Sequence, residues 1–277
     1  MREIGELRIS DRESEDQSSI DAQSSSIRNP KSEIRNEAES LDISVVLPTY
    51  DEAQNIGPLI AALRRALGDL RNPAGNPLSH EIIVVDAGSR DDTLPKARGA
   101  GATAFVQTQP GYGMALKEGF AAARGRYIVT MDADLSHDPA LLPAMMASIS
   151  GADVVIASRY VKGGSSAGSA FRRVLSIILN CIYSSALRLP IKDVSCGYRI
   201  YDRRVLDGIQ VTCRNFDALE EILIRACQNG ARIVEVPLKC GLRAHGKSHA
   251  RIIPFAFSYS KTLLRMLRLR YFSKESA

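Results

Sequence analysis

The run Tyr127-Ile-Val-Thr-Met-Asp-Ala-Asp-Leu-Ser-His137 limits what this chain can fold into more than any other segment. Ile128, Val129 and Met131 read as a buried strand, and the apolar run stops where Asp132 and Asp134 begin. Alternate residues of an extended chain point the same way, so the two carboxylates aim hard oxygens at one point. Such oxygens suit Mg²⁺ or Mn²⁺ carrying a diphosphate. Ligands of an open parallel sheet collect at the carboxyl ends of its strands. A lone Asp-x-Asp is more often a polar strand exit with a capping Asp; three neighbouring segments outweigh that reading here.

Ile43-Ser-Val-Val-Leu-Pro-Thr-Tyr-Asp-Glu52 is a short apolar strand that meets Pro48, turns, and enters a helix predicted from Ala53 to Leu67. Glu81-Ile-Ile-Val-Val-Asp-Ala-Gly-Ser89 is a strand that ends in Asp86 and a Gly-Ser turn. Gly111 and Gly113 let backbone approach closely before a helix that ends at Gly125. Each segment brings polar groups to one rim, and together they predict a nucleotide-diphosphate site. Strands at roughly 43–48, 81–86, 102–107, 126–131, 153–157 and 231–236 alternate with helices. That alternation predicts an α/β fold, a mostly parallel sheet with helices on both faces.

Four blocks, Leu47-Pro-Thr-Tyr-Asp-Glu52, Val85-Asp-Ala-Gly-Ser89, Met131-Asp-Ala-Asp-Leu-Ser-His137 and Asp193-Val-Ser-Cys-Gly-Tyr-Arg199, occur in order, and Arg243-Ala-His-Gly-Lys-Ser-His249 makes a fifth. Over about residues 43 to 250 the chain resembles inverting glycosyltransferases of the GT-A (Rossmann-like) fold, family 2. Within that family it is most similar to the dolichol-phosphate (polyprenol-phosphate) mannosyltransferase group. The resemblance implies transfer of mannose from GDP-mannose to a polyprenyl or dolichyl phosphate. It implies that Pro48, Tyr50, Glu52, Asp86, Asp132 and Ala133 line the nucleotide-sugar pocket, and that Asp132, Asp134 and Ser136 touch Mg²⁺ or Mn²⁺. Asp134, Asp193 and Arg199 are then the expected catalytic residues, with Arg199, Arg243 and Lys247 on the acceptor phosphate. Guanidinium forks match phosphate oxygens. Asp193 contacts the donor sugar, or is a base in hydroxyl-acceptor relatives; a turn-forming Asp is its structural alternative. Asp86 has helix capping as its alternative, and Glu221, which matches a family carboxylate, has a surface position.

The chain departs from the family at Ala87, where a second acid is frequent, and at His249, where Lys is usual. A neutral imidazole is a poorer phosphate partner than an ammonium, which hands that role to Lys247. The alternatives are another donor, such as UDP-glucose or a UDP-amino sugar, a non-lipid acceptor, or an inactive nucleotide-binding relative. The intact Asp132-Ala-Asp134 argues against the last. A nucleotidyltransferase would place Gly-x-Gly-x-x-Arg where Leu47-Pro-Thr-Tyr50 stands.

Residues 1–42 are rich in Ser, Asp, Glu, Gln and Arg without apolar period, and read as a disordered low-complexity tail. They hold 11 acids and 6 bases, net −5, against +5 for the whole chain, which leaves +10 on residues 43–277. The domain is expected over 43–250 and a basic helix over 251–277. An excess of bases suits phosphates or an anionic membrane; nucleic acid is excluded as a partner because no recognised motif accompanies the charge. The 5 cysteines are odd in number and lack a C-x-x-C pair, as in a reducing cytosol. Val174 to Leu187 is uncharged but shorter than the ~20 residues a spanning helix needs. It reads as a core helix or as an interfacial helix with Arg172, Arg173 and Arg188 at headgroup level. In the last helix Lys261, Arg265 and Arg268 form one stripe, with Leu263, Leu264, Leu267 and Tyr271 opposite. The stripe is either a solvated face or a dock for anionic lipid. The expectation is a cytoplasmic, peripherally membrane-associated protein, or one recruited by a membrane-anchoring subunit.

Overall fold

The computed structural model describes residues 41–167, 169–245 and 252–272. The predicted tail up to residue 40 and the candidate phosphate ligand Lys247 lie outside the described residues. The described residues fall in one unit, 38–277.

The strands form where β-branched and aliphatic residues run together. β1 (Leu41–Thr49), β2 (His80–Asp86), β3 (Thr103–Val106) and β4 (Gly125–Thr130) lie parallel in the order β3-β2-β1-β4. Ile43, Val45, Val46, Leu47, Val84, Val85 and Val129 are fully buried. Burying each such side chain stabilises the fold by roughly 1.5–3 kcal/mol. Continuous apolar runs of this kind mark strands covered on both faces. The sheet continues through β7 (Arg199–Asp202), β5 (Val154–Ser158) and β8 (Ile233–Pro237), seven strands in all. β7 is antiparallel to both its neighbours. A separate two-stranded ribbon pairs β6 (Ser165–Ser166) with β9 (Lys239–Cys240).

The mostly parallel α/β sheet is therefore as the strand–helix alternation predicts. Two differences stand out. β7 has no counterpart in the sequence reading, because Arg199-Ile-Tyr-Asp202 is short and begins with a charge. The domain also starts earlier than expected. Leu41 already pairs beside Gly125, and the Asp42 carboxylate accepts from Ser79 N and Oγ, both at 2.8 Å.

The helices are α1 (Ile56–Gly68), α2 (Thr93–Gly99), α3 (Tyr112–Ala122), α4 (Leu142–Ile149), α5 (Ala170–Ala186), α6 (Arg203–Asp207), α7 (Ala218–Gln228) and α8 (Ile252–Phe272). α3 lies on β1 and β2, where Gly119 admits Val46: a Cβ there would stand 2.3 Å from Val46 Cγ1. α5 buries Tyr183 and Asn180 but leaves Phe171, Val174, Ile177, Ile178 and Ile182 exposed. α8 packs along α7 through buried Met266. This packing corrects the basic stripe: Arg265 turns to α7, its guanidinium 3.5 Å from Asp217 and 3.4 Å from Thr212 Oγ1. Leu264, expected on the covered side, is 68% exposed. Among the described residues no helix is long and apolar enough to cross a membrane.

At Gly125 an added Cβ would meet Ser44 N at 2.4 Å and Ile43 C at 2.5 Å, both backbone. Backbone cannot yield as a side chain can, so Gly125→Ala should cost about 1–3 kcal/mol and lower Tm by roughly 2–4 °C per kcal/mol. Gly57, in the first turn of α1, has nothing within 4 Å of such a Cβ. Gly57→Ala should instead gain about 0.5–1 kcal/mol. Thermal melts of the two variants read the opposite signs.

Candidate active site

The carboxyl ends of β1, β2 and β4 make one rim. After β1 the chain passes Tyr50, which is 38% exposed, and turns at Asp51 with φ 54°. Asp tolerates this left-handed conformation better than most residues. The turn is laced to the loop after β2: Asp51 N donates to Ser89 Oγ, Arg90 N to Asp51 Oδ1 and Glu52 N to Thr93 Oγ1, each at 2.8 Å. Asp86 ends β2 but does not face outward. It is 1% exposed and accepts from Gly88 N at 3.1 Å, from Ser89 N at 2.8 Å, from Ser89 Oγ and from Thr49 Oγ1. The carboxylate holds the turn from beneath.

β4 delivers Asp132 and Asp134. The Asp132 side chain is 40% exposed, with Oδ1 3.4 Å from the Tyr112 hydroxyl and Oδ2 3.9 Å from His137 Nε2. Burial and the nearby Asp132 charge raise the Tyr112 phenol well above its ordinary value, so it remains a donor. Asp134 is nearly buried, and its Oδ1 accepts from Ser136 N at 3.0 Å. Ala133 between them is buried in the core, which leaves only its backbone at the rim.

Two backbone bonds, Gly241 N to Ser136 O at 2.9 Å and Ala244 N to Asp134 O at 3.1 Å, bring the late block alongside. They set Arg243 between Glu52 and Asp134, 3.1 Å from each. Burial pushes the Glu52 carboxyl up; the Asn55 hydrogen bond and Arg243 offset only part of this, so it stays above its ordinary value. Arg243 thus stands beside Asp134 and Glu52.

The glycine loop is clamped to the chain before α7. Gly111 has φ 123°, and a Cβ there would lie 2.2 Å from Arg214 O; at Gly113 it would lie 2.4 Å from Cys213 O. Tyr112 between them stacks on Phe216 with ring centroids 4.5 Å apart. Glu221 anchors the clamp. It is fully buried and accepts from Thr212 N at 2.8 Å, Cys213 N at 2.7 Å and Thr212 Oγ1 at 2.7 Å. Neither a substrate carboxylate nor a surface acid, it is a structural anchor.

The block 193–199 holds the largest corrections. Arg199 is fully buried, and its guanidinium donates to the carbonyls of Cys196, Val194 and Leu219 at 2.7, 2.6 and 2.8 Å and to Tyr201 Oη at 3.2 Å. A buried charge must be hydrogen-bonded, and here the donors are spent on the fold. Arg199 therefore reaches neither acceptor nor donor. Asp193 is also fully buried, in a fork with Arg159: Nε to Oδ2 and Nη2 to Oδ1, both 2.8 Å. Burial pushes the Asp193 carboxyl up, but the Arg159 bonds overcome this and hold it below its ordinary value. An acid so held is a positioning group, not a free base.

Sequence reasoning missed Arg159. It leaves the end of β5 just as Asp132 leaves β4, so the strand-end rule would have found it. It opens onto a cleft of about 550 Å³, lined also by Tyr160, Ser166, Ala167, Ser169, Arg173, Ser176 and Leu242. The Tyr160 hydroxyl donates to Ser176 Oγ at 2.6 Å. Arg173 and Ser176 line the cleft from α5, the helix that leaves Phe171, Val174, Ile177, Ile178 and Ile182 exposed.

Among the described residues, no three His, Cys, Asp or Glu side chains gather to hold a metal by themselves. Asp132 and Asp134 fit the other known arrangement, in which one or two carboxylates share the cation with substrate phosphates. Ser136 reaches Asp134 through its backbone N–H, at 3.0 Å, and its side chain lies against Cys240.

The family model of glycosyl transferase family 2 matches residues 44–209. The dolichol-phosphate mannosyltransferase of Pyrococcus furiosus is 33% identical over 238 residues, 82% of this chain; the chain spans 64% of that relative's length. An uncharacterized glycosyltransferase of Mycobacterium tuberculosis is 32% identical over 74% of this chain and 88% of its own length. Among solved structures, glucosyl-3-phosphoglycerate synthase of M. tuberculosis with Mn²⁺, UDP-glucose and phosphoglyceric acid shares the fold at TM-score 0.64 and 22% identity, covering 85% of this chain and 82% of that one. Its complex with Mn²⁺, UDP and glucosyl-3-phosphoglycerate gives 0.61 at 23% identity, with the same coverage.

Glu220, next to the anchor, is buried, and its Oε2 has no hydrogen-bond partner among the described residues. Burial raises its carboxyl to about 7. The folded chain keeps a proton that the unfolded chain releases from about pH 4.5 upward. Stability therefore falls as pH rises through that window. Glu220→Gln, which mimics the neutral acid, should raise Tm at pH 8 and leave it nearly unchanged at pH 5; equal shifts at both pH values would contradict the assignment.

Proposed function

The chain belongs to glycosyl transferase family 2, and on that premise we propose that it moves mannose from GDP-mannose to a polyprenyl phosphate at a membrane surface. The observation that carries the acceptor is the Arg159–Arg173 cleft beside a helix with its apolar residues in water. Two guanidinium groups and the hydroxyls of Tyr160, Ser166, Ser169 and Ser176 suit a phosphate monoester. Phe171, Val174, Ile177, Ile178 and Ile182 suit the hydrocarbon next to it. The mannosyltransferase likeness of the Pyrococcus furiosus relative supports the same acceptor and the mannosyl donor.

The diphosphate leaves with developing charge. A divalent cation bound at Asp132 and Asp134, with Ser136, would neutralise it as a Lewis acid. The chain's own contribution is position. Tyr112 and His137 flank Asp132 and set its rotamer, while the Gly111–Gly113 loop, packed on Cys213 and Arg214, holds Tyr112 in place. On the acceptor side a phosphate monoester, with second pKa about 6, is already anionic near neutral pH. It needs no base. This agrees with Asp193 being locked onto Arg159, where it aims a guanidinium at the incoming phosphate. The exposed α5 face would rest at headgroup level, either alone or against a membrane-anchoring subunit.

Three measurements test this reading. A donor panel with a short polyprenyl phosphate, read by released nucleoside diphosphate, should favour GDP-mannose. Arg173→Ala should raise KM for the polyprenyl phosphate at least ~10-fold, as loss of a charge-assisted hydrogen bond does, with donor KM unchanged. Asp134→Asn should lower kcat at least ~100-fold with Tm nearly unmoved. Preference for a soluble sugar acceptor over polyprenyl phosphate would overturn the lipid reading.

A further inference from the structure

Glu52 and Asp134 come from different loops and face each other across Arg243, each 3.1 Å from a different guanidinium nitrogen. Their side chains are only 9% and 12% exposed, whereas Arg243 is 31% exposed. Asn55 ties the pair further, donating to Glu52 Oε2 at 2.5 Å and to His245 O at 3.3 Å. Asp134 Oδ1 accepts from Ser136 N. Its other oxygen, Oδ2, is the one Arg243 holds. A divalent cation that binds Asp134 through Oδ2 meets the guanidinium at contact distance, in a site poorly screened by water. The arrangement in which Arg243 bridges the two carboxylates and the one in which a divalent cation holds Asp134 therefore exclude each other.

We infer that Arg243 is an internal counter-cation that competes with the divalent metal for Asp134, so that metal enters only together with a nucleoside diphosphate. The inference rests on the reading that Asp134 serves a metal-bound diphosphate. The diphosphate changes the balance in two ways. It adds ligands for the metal, and it offers Arg243 phosphate oxygens in exchange for the carboxylates it gives up. Coupling of this kind is reciprocal: what the diphosphate adds to metal affinity, the metal adds to diphosphate affinity. Arg243 suits the part because its block is held beside Asp134 by backbone bonds at Gly241 and Ala244. Only the side chain has to move.

The test is Mn²⁺ binding to the full chain, by electron paramagnetic resonance and calorimetry, with and without GDP or UDP. Wild type should bind Mn²⁺ alone weakly and gain strongly when the diphosphate is added. Arg243→Gln, which keeps length but loses charge, should bind Mn²⁺ alone at least ten-fold more tightly than wild type, about 1.4 kcal/mol per factor of ten. The gain should vanish in Arg243→Gln with Asp134→Asn. Arg243→Met serves as a second neutral variant, and melts of every variant check the fold. Neutral variants that melt normally yet bind Mn²⁺ no better than wild type overturn the inference; so does wild type binding Mn²⁺ alone as tightly as they do. Mn²⁺ ignored by every protein even with GDP or UDP would instead remove the metal reading beneath it. The acceptor's identity affects none of these outcomes.

Discussion

A guanidinium without solvent exposure sits where β7, the 193–198 segment and α7 meet. Arg199 opens β7 and ties the segment just before it to the start of α7, and through them it reaches both halves of the site. The carbonyls of Val194 and Cys196 fix the segment that carries Asp193, and Asp193 in turn aims Arg159. The carbonyl of Leu219 fixes the start of α7, whose Glu221 holds the Cys213 segment against the glycine loop. Burying a charge is costly unless every donor finds a partner. That cost penalises any packing that leaves one of these donors without a carbonyl.

The site has two chemically distinct parts. One is acidic, where Asp134 and Glu52 share Arg243 and Asp132 stands beside Tyr112 and His137. The other is a cationic cleft, where Arg159 and Arg173 stand among hydroxyls. The proposed transfer between a metal-bound diphosphate and an anionic acceptor would use this division, because both proposed substrates carry negative charge and must still be brought close. The ion pairs within each part keep the charges of the protein in place before either substrate is present.

The strands with long aliphatic runs were legible in the sequence, because burial on both faces leaves a continuous apolar record. So were the acidic strand ends. What the sequence hid was direction. Arg199 and Arg243 look alike as basic residues in polar blocks, yet one points into carbonyls and the other into carboxylates. Asp86, Asp193 and Glu221 all look available, and all three are spent on the fold. Helical spacing placed Arg265 on a free stripe, but Asp217 on a neighbouring helix claims it. Tertiary partners decide such cases, and no local pattern encodes them.

The antiparallel strand β7 has a consequence for how the chain reaches this state. It lies between β4 and β5, pairing Tyr127 with Asp202 on one side and Val154 with Tyr201 on the other. β5 cannot join β4 directly. During synthesis, β1 to β4 can assemble as they emerge, but β5 must wait unpaired until the much later segment arrives to bridge the gap. Pairings of such high sequence separation are slow to form. Until residue 202 has left the ribosome, Val154, Val155 and Ile156 are an open aliphatic edge, the stretch on which a holding chaperone would act.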